Sequence, residues 1–586
     1  MNLKVQLFNR HAWYRMMSSH PFSTMMMLAL ILCPFLCCSI YGYSTWNMDE
    51  EVPVVKALGF LDVDLDPRWF GYHTLPMYLF STMYAVIYGA YRIFGLVDSK
   101  LEFASLLFTN EAIFFISARL LCCFAYLLGS ALIAKMFYIS YRSKVGCILL
   151  FSMLLFLPDA HVAMNSIRVD TFVFLFLTLS IYFSCFYQKN LSSFILSIIF
   201  CGAAIASKIP AIVFAPILFV SVMWDVNNQA YPKKFLLLFP AILLLSVFCF
   251  MPYAFISYKL FLQSWSDVVN IGAEPNVHFG KEFYSGLVEK FLGIFALFKT
   301  NLGYFGLLAA CVYGAISAVR RKKTILPILY VGGYSSLFLR SNFIEEYWLR
   351  PVYPFLLLFA FSLFYEVDFP ILASRFGNKL FKIDFNFSKY IFVGKLLLPL
   401  LFIGVFFMHN ATVFHAFYND FTERREETRV TSAKWIKSHL PSGSIIYMHG
   451  LIVHYLPRLF SADPEVTLFG YCINGYGETI TKNKFLTEAF LCYFERQIHS
   501  GNQPNYSIEF ISQLHNEDIH FLERNTYVVM SSYTFDRYLN NDIEHLPESV
   551  KPGLLSTKIA IEFLRNQKPI ASFEGRGPRI EIYQIE

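Results

Sequence analysis

Charge is what this sequence has least of. Only 15% of its 586 residues are Asp, Glu, Lys or Arg, where soluble domains carry about 25%. With 56% hydrophobic residues and a mean hydropathy of +0.48, that shortage excludes an ordinary soluble domain and reads as a polytopic membrane protein. Lys4, Arg10 and Arg15 precede an apolar stretch, but no small-x-small cleavage site follows Cys38. The N-terminus therefore reads as an uncleaved anchor rather than a signal peptide. No internal repeat or low-complexity tract is visible, which argues against a transporter built from related halves. No Cys/His group has metal-ligand spacing, and His449 and His454 are no helical pair. A divalent cation held by carboxylates stays open. Ten of the twelve cysteines lie in or beside apolar runs and read as packing residues. Cys472 and Cys492 lie in the polar tail and could pair in an oxidising compartment. The net charge of +6 comes from short loops between apolar runs, which gives no nucleic-acid partner.

What the chain has in quantity is apolar runs. They fall near 22–43, 75–97, 117–139, 146–163, 171–188, 192–207, 209–225, 235–256, 302–319, 325–340, 351–366 and 390–410. If all twelve crossed with the N-terminus inside, Arg142/Lys144, Lys233/Lys234 and Arg320-Arg321-Lys322-Lys323 would face outward. That inverts the rule that cytoplasmic loops carry the Lys and Arg. Placing 75–97 outside, as an interfacial or re-entrant helix, returns every basic loop to the cytoplasm, including Lys189 and the Arg375–Lys389 segment. Tyr78, Tyr84, Tyr88, Tyr91 and Arg92 suit an interface. The expected fold is thus mainly α, with about eleven spans in residues 1–410 and a first external loop over about 44–116. A second external loop runs over 257–301. Residues 411–586 form an external α/β domain. In it Glu423–Glu427 opens an amphipathic helix ended by Leu440-Pro441-Ser442-Gly443, and strands follow at Ser444–Met448, Thr526–Met530 and Arg579–Ile585.

This topology collects scattered charges on one face. Asp49 and Glu50 follow the first span. Asp62, Asp64, Asp66, Arg68, His73 and Arg119 belong to the first loop and its exit. Arg168 and Asp170 end the third span, Lys208 lies between the fifth and sixth, and Arg340, Glu345, Glu346 and Arg350 precede the tenth. Ionisable groups at a membrane rim are functional candidates. A carboxylate can take a proton from a hydroxyl, and Arg or Lys can bind a phosphate and stabilise a leaving group. Each also has a plain reading: Arg119 and Lys208 as snorkelling anchors, Asp170 as a helix cap, His73 as a backbone partner.

Four stretches resemble a known family. They are Met48-Asp49-Glu50; Asp64-Leu65-Asp66-Pro67-Arg68-Trp69-Phe70-Gly71-Tyr72-His73-Thr74-Leu75-Pro76-Met77-Tyr78; Ala118-Arg119-Leu120-Leu121; and Asn165-Ser166-Ile167-Arg168-Val169-Asp170-Thr171. Ala206-Ser207-Lys208-Ile209-Pro210 and Glu346–Pro354 are fainter echoes. Together the ordered set resembles the GT-C class of membrane glycosyltransferases, in the branch of protein O-mannosyltransferases and the aminoarabinose and galacturonic-acid transferases of lipid A. The resemblance implies an inverting enzyme of the bacterial inner membrane, with its active site and tail domain periplasmic and its N-terminus cytoplasmic. The donor would be a polyprenyl-phosphate sugar, and the acceptor a lipid, a glycan or a protein. Asp49 carries over as base, with Glu50 and Asp170 as further catalytic candidates. Arg119, Lys208 and Arg350 become donor-phosphate ligands, and Arg168, Tyr72 and His73 substrate contacts. The family's His-Pro-Pro or His-Tyr-Pro cluster reads Gly71-Tyr72-His73-Thr74-Leu75-Pro76 here, a departure at His73. Competing readings are a lipid-linked polymer ligase of the O-antigen ligase kind, which would rely more on external Arg and His, and a glycolipid flippase, which would place its charges near mid-membrane.

Overall fold

The computed structural model describes residues 48–68, 70, 71, 74–186, 190–228, 230–271, 286–320, 322–340, 346–366, 388–413, 415, 428–449, 459, 483–499, 506–511, 526–532, 536, 539, 551–575 and 578–585. The expected first span at 22–43, Tyr72, His73, Glu345, Glu423–Glu427 and Cys472 lie outside the described residues.

The helical body is built from α4 (Ala112–Tyr141), α5 (Lys144–Leu155), α6 (Pro158–Asn165), α7 (Val169–Ile181), α8 (Leu191–Ser207), α9 (Phe214–Asn227), α10 (Lys234–Phe250), α12 (Leu287–Arg320), α13 (Lys322–Leu337), α14 (Tyr353–Glu366) and α15 (Ser388–His409). Four segments are long and apolar enough to cross a membrane: Ala112–Tyr141, Val169–Phe186, Ile209–Asn227 and Leu287–Ser317. α5 and α6 meet at 69° and together form a bent apolar pair, a broken span or a re-entrant loop. α8, α10, α14 and Pro399–His409 are shorter apolar helices. A membrane protein of several spans follows, while the total of about eleven is not fixed by these helices.

Local chemistry sets the breaks. Ser143 accepts from the Gly146 amide to start α5, and an Asn190/Ser193 capping box starts α8. Arg142, left-handed at φ 56°, closes α4. Within α12, Gly303 takes φ 72° and kinks the helix, a conformation that a side chain would resist. Gly129 lets α4 approach α7, since a Cβ there would sit 2.5 Å from the Phe174 ring.

The first loop is itself helical: α1 (Met48–Gly59), α2 (Thr74–Ile93) and α3 (Lys100–Thr109). α2 covers the run at 75–97 and is not one of the four membrane-length apolar helices. It buries Met77, Phe80 and Tyr84, and the Tyr84 hydroxyl donates to the Phe114 carbonyl at 3.2 Å. Its far end, with Val86, Ile93 and Phe94, is exposed.

The tail holds α16 (Thr428–His439), α17 (Lys484–His499), α18 (Lys551–Asn566) and one five-stranded sheet. Its strands are β1 (Ile445–His449), β2 (Ser507–Ile511), β3 (Thr526–Ser531), β4 (Ala571–Phe573) and β5 (Ile580–Ile585), in spatial order β2-β1-β3-β5-β4. β1 pairs in parallel with β2 and β3, and β5 runs antiparallel to β3 and β4. Three strands fall where the sequence places them. Ile436, Ile446, Met448, Val529, Ile580 and Ile582 form the tail's own core. α17 does not join it. Phe485, Leu486, Ala489, Phe490, Tyr493 and Phe494 pack instead into the core of the helical body. Phe108 of α3 meets Phe490 edge-on at 5.3 Å and stacks on Tyr493 at 5.6 Å. α17 of the tail therefore lies against α3 of the first loop.

Candidate functional site

The rim charges singled out in the sequence meet as carboxylate–cation pairs. Glu50, in the first turn of α1, is 1% exposed and Arg119, in the second turn of α4, is 5% exposed. Arg119 grips Glu50 with both arms of its fork, Nε to Oε1 at 3.0 Å and Nη2 to Oε2 at 2.5 Å. Such two-pronged charge-assisted bonds fix geometry as well as charge. Glu50 Oε1 also accepts from the Ile167 amide at 2.7 Å. One buried carboxylate thus joins the first loop, α4 and the entry to α7. Asp49 occupies the same turn of α1, and its side chain is outside the described residues.

Arg168 is the half-buried residue at the N-cap of α7, and Asp170 lies in that helix's first turn. A carboxylate there is favoured by the N–H groups that the helix leaves unpaired. Its partner is Lys208, whose Nζ lies 2.7 Å from Asp170 Oδ1. Lys208 occupies the break between α8 and the 3-10 turn Ile209–Val213, in extended conformation ahead of Pro210. Its backbone caps the C-terminal end of α8, and its amide donates to the Ala204 carbonyl. The amine also stands 5.8 Å from the Trp348 ring centroid, and Trp348 stacks on Phe338. Of the ion pairs between distant elements described above, this one opens to solvent: the side chain of Lys208 is 20% exposed and that of Asp170 only 2%.

A third pair was not anticipated. Arg350 is fully buried and binds both oxygens of Asp159 through Nε, at 3.1 and 2.8 Å. Its Nη1 reaches Thr171 Oγ1 at 3.4 Å, next to Asp170, and Nη2 has no hydrogen-bond partner among the described residues. Asp159 follows Pro158 in the first turn of α6, and its amide donates to Asn301 Oδ1 at 3.1 Å, two residues before the Gly303 kink. The signal for Asp159 was present in the sequence: an isolated carboxylate inside the apolar run 146–163.

The remaining first-loop carboxylates do local work. Asp64 Oδ1 accepts from the Asp66 amide, Asp66 Oδ1 accepts from the Arg68 amide, and Arg68 bridges back to Asp64 at 2.5 Å. These are self-bonded turns of the kind that Asp favours. Ser257 Oγ donates to Asp66 Oδ2 at 3.3 Å and ties the turn to the second loop. Lys56, on α1, is buried and donates to the Pro67 carbonyl at 2.5 Å. Burial pushes its amine down to about 7 against the opposing pull of Asp66. Sequence reading missed Lys56 because a lysine in a short helix normally reads as a solvated face. The side chains of Arg340 and Glu346 are outside the described residues, as are Tyr72 and His73. No group of three or more His, Cys, Asp or Glu able to hold a metal ion occurs among the described residues.

The result is a compact electrostatic site at the end of the helical body that carries the first loop. Four cations (Arg119, Arg168, Lys208, Arg350) alternate with three carboxylates (Glu50, Asp159, Asp170). Lys208 and Arg168 lie outermost, and Arg119 and Arg350 lie deeper, held by their acids.

No protein-family model matches the chain, and no curated protein matches it. Among solved structures, ArnT from Cupriavidus metallidurans bound to undecaprenyl phosphate aligns with a TM-score of 0.48 at 14% identity, covering 96% of this chain and 98% of that one. The apo state of ArnT aligns with a TM-score of 0.45 at 12% identity, again over 96% and 98%. At that level the likeness carries no argument about chemistry.

Proposed function

We propose that this chain is a membrane glycosyltransferase that moves a sugar from a polyprenyl-phosphate donor to a hydroxyl of a lipid, glycan or protein acceptor. The reaction would take place on the membrane face that carries the first loop, the periplasmic face of a bacterial inner membrane. The observation that carries this reading is the half-open Lys208–Asp170 pair, backed by Arg168 and Arg350 and set beside the helix that begins with Asp49 and Glu50. The Lys208 side chain is 20% exposed while its carboxylate partner is buried, so an anion arriving at the surface can approach this cation in place. The ordered motifs of the sequence, which resemble the GT-C class, supply the kind of anion.

In this reading Lys208 and Arg168 hold the donor phosphate. Arg119 and Arg350 contribute positive potential from behind, each fixed by an acid. Asp49 takes the acceptor proton as the acceptor oxygen attacks the anomeric carbon from the face opposite the phosphate. The sugar–phosphate bond breaks with inversion, and Lys208 stabilises the charge gathering on the departing prenyl phosphate. Tyr72 and His73, which precede α2 in the sequence, would contact the sugar or the acceptor. The sugar is a hexose or a pentose, and the reading requires no metal ion.

Full-length protein in liposomes, offered a panel of prenyl-phosphate sugars and membrane-extract acceptors, tests this. Transfer should occur with at least one donor. Asp49→Asn should lower turnover by at least ~100-fold, the lower range for a general base, with an unchanged thermal melt. Wild-type turnover in a folded Asp49→Asn protein would move the base to Asp170. No transfer from any prenyl-phosphate sugar would overturn the reading.

A further inference from the structure

α1 carries a lysine on a face that the protein covers. Lys56 is only 4% exposed. At about 100° per residue, position 56 falls two turns from position 49 on nearly the same face. Its neighbours Val54, Ala57 and Leu58 are core residues. Leucine or methionine would pack there without the cost of burying an ammonium. The lysine therefore asks for a reason beyond filling space.

Its surroundings come from three other segments. Lys56 Nζ donates to the Pro67 carbonyl at 2.5 Å. Asp66, one residue earlier, attracts the ammonium, and Asp66 Oδ2 accepts from Ser257 Oγ at 3.3 Å. Ser257 lies between the single turn Tyr253–Ile256, which follows α10, and α11 (Tyr258–Ile271). Tyr78 of α2 donates to the Leu65 carbonyl at 3.0 Å, and Thr74 of α2 donates to the Phe250 carbonyl at 3.3 Å. The titratable groups gathered here are Lys56, Asp66, Tyr78 and Tyr253. Val63 and Arg68 hold left-handed backbone, φ 72° and 54°, which side chains resist. A segment bent in that way needs holding from outside.

We propose that Lys56 is a positioning residue for the transfer: its ammonium fixes α1, and with it position 49, against the Asp64–Arg68 turn and the second loop. The inference rests on the reading above, in which Asp49 takes the acceptor proton. Glu50 anchors the start of α1 to Arg119 and the Ile167 amide. Lys56 holds the helix two turns on, so losing it lets the base drift from the acceptor. Lys208 and Arg168, the proposed phosphate ligands, stand on other elements, so donor binding does not depend on Lys56. Burial draws the amine down to about 7 against the pull of Asp66. The tie is therefore charged below that pH and neutral above it.

The test uses full-length protein in liposomes, with the donor and acceptor that the transfer assay selects. Lys56→Met should lower kcat by up to about 100-fold, the effect of a misplacement of about 1 Å. Its Kd for undecaprenyl phosphate, read by titration calorimetry, should stay at the wild-type value. Wild-type kcat should fall as pH rises through about 7, and Lys56→Met should lack that fall. Asp66→Asn keeps the lysine and removes its counter-charge, so it should move the fall to lower pH. Hydrogen exchange reads the tie without turnover: amides over 54–59 should exchange faster in Lys56→Met, and those of α7 should not. If the wild type transfers no sugar while this exchange still depends on Lys56, the activity reading fails and the tie stands. Unchanged exchange in α1, or a wild-type pH profile in both variants, would overturn the inference. Equal losses of kcat and donor binding would also overturn it, leaving Lys56 a general support of the fold.

Discussion

The buried ion pairs of the helical body and the buried His449 of the tail show two ways of keeping a titratable side chain out of water. The body buries Glu50 and Arg119, Asp159 and Arg350, and Asp170 with most of Lys208 as charged partners in contact. The tail buries His449 at the end of β1, with neither ring nitrogen hydrogen-bonded among the described residues. Burial pushes that imidazole down to about 4, so it stays neutral. Charge costs too much to bury alone, so a buried group must be paired or must give up its charge. Pairing keeps charge available for chemistry, whereas neutrality serves only packing.

The sharpest way to break the comparison is to strip one partner from a sealed pair. Glu50→Gln and Asp159→Asn each leave a buried guanidinium without its counter-charge. Losing one partner of a buried pair costs about 3–5 kcal/mol, so both variants should melt well below wild type or fail to accumulate. Replacing the whole pair should be milder: Glu50→Leu with Arg119→Met should recover much of the lost stability, because an apolar pair of similar volume carries no desolvation cost. Denaturation followed by tryptophan emission checks both. A Glu50→Gln protein as stable as wild type would mean that Arg119 has found another anion or open water.

The half-open pair should behave differently. Lys208→Gln retains a donor for Asp170 but gives up the charge, at about 2–3 kcal/mol, the upper range for a charged hydrogen bond. Its larger consequence should be weaker binding of a prenyl phosphate, read by isothermal titration in detergent. Lys208→Arg restores charge in a different shape and should recover stability more fully than binding. Equal recovery of both would reduce Lys208 to a partner for Asp170.

Acid tests the tail's strategy. The unfolded chain protonates His449 below about 6.5, while the folded chain resists until about 4. The contribution of His449 is therefore complete above pH 6.5 and is lost as pH falls from 6.5 towards 4. At pH 5 the loss is about 2 kcal/mol. Hydrogen exchange of β1 and β3 should accelerate between pH 7 and 5 relative to His449→Leu. Parallel pH profiles for the two proteins would place His449 in water.

The sequence disclosed what depends on local pattern. The sign of loop charge set 75–97 apart from the other apolar runs, and α2, which covers most of that run, packs Tyr84 and Phe80 into the core of the helical body. β1, β3 and β5 lie where β-branched runs sit between turn residues. Lys208 and Asp170 stood out separately, each marked by a helix end. What stayed hidden depends on partners distant in the chain. Nothing in Met48-Asp49-Glu50 reveals that Glu50, rather than solvent, fills the fork of Arg119, 69 residues away. Asp159 stands alone in the apolar run 146–163, but nothing there names Arg350, 191 residues away, as its partner. β2 and β4 are too short or too mixed to stand out, and α17 reads as an ordinary amphipathic helix of the tail until Phe490 and Tyr493 are seen against Phe108.

That last contact sets up the smallest expected effect. Besides the aromatic contact, α17 meets α3 through Arg496 and Glu102, Nη1 to Oε1 at 3.2 Å, with Arg496 largely exposed. Glu102 also accepts from the Asp98 amide at 2.6 Å, so its geometry is fixed without Arg496. An exposed pair is screened by salt and water and contributes about 0.2–1 kcal/mol. Arg496→Gln should therefore leave the melt within about 1 kcal/mol of wild type, and raising salt should erase even that difference. Phe490→Ala removes a fully buried ring from the same junction and should cost about 3–5 kcal/mol. If Arg496→Gln instead matched Phe490→Ala in freeing the tail, read as protease cleavage between 500 and 506, the tail would be held by charge. The contrast between a charged body and an apolar-docked tail would then fail at this junction between them.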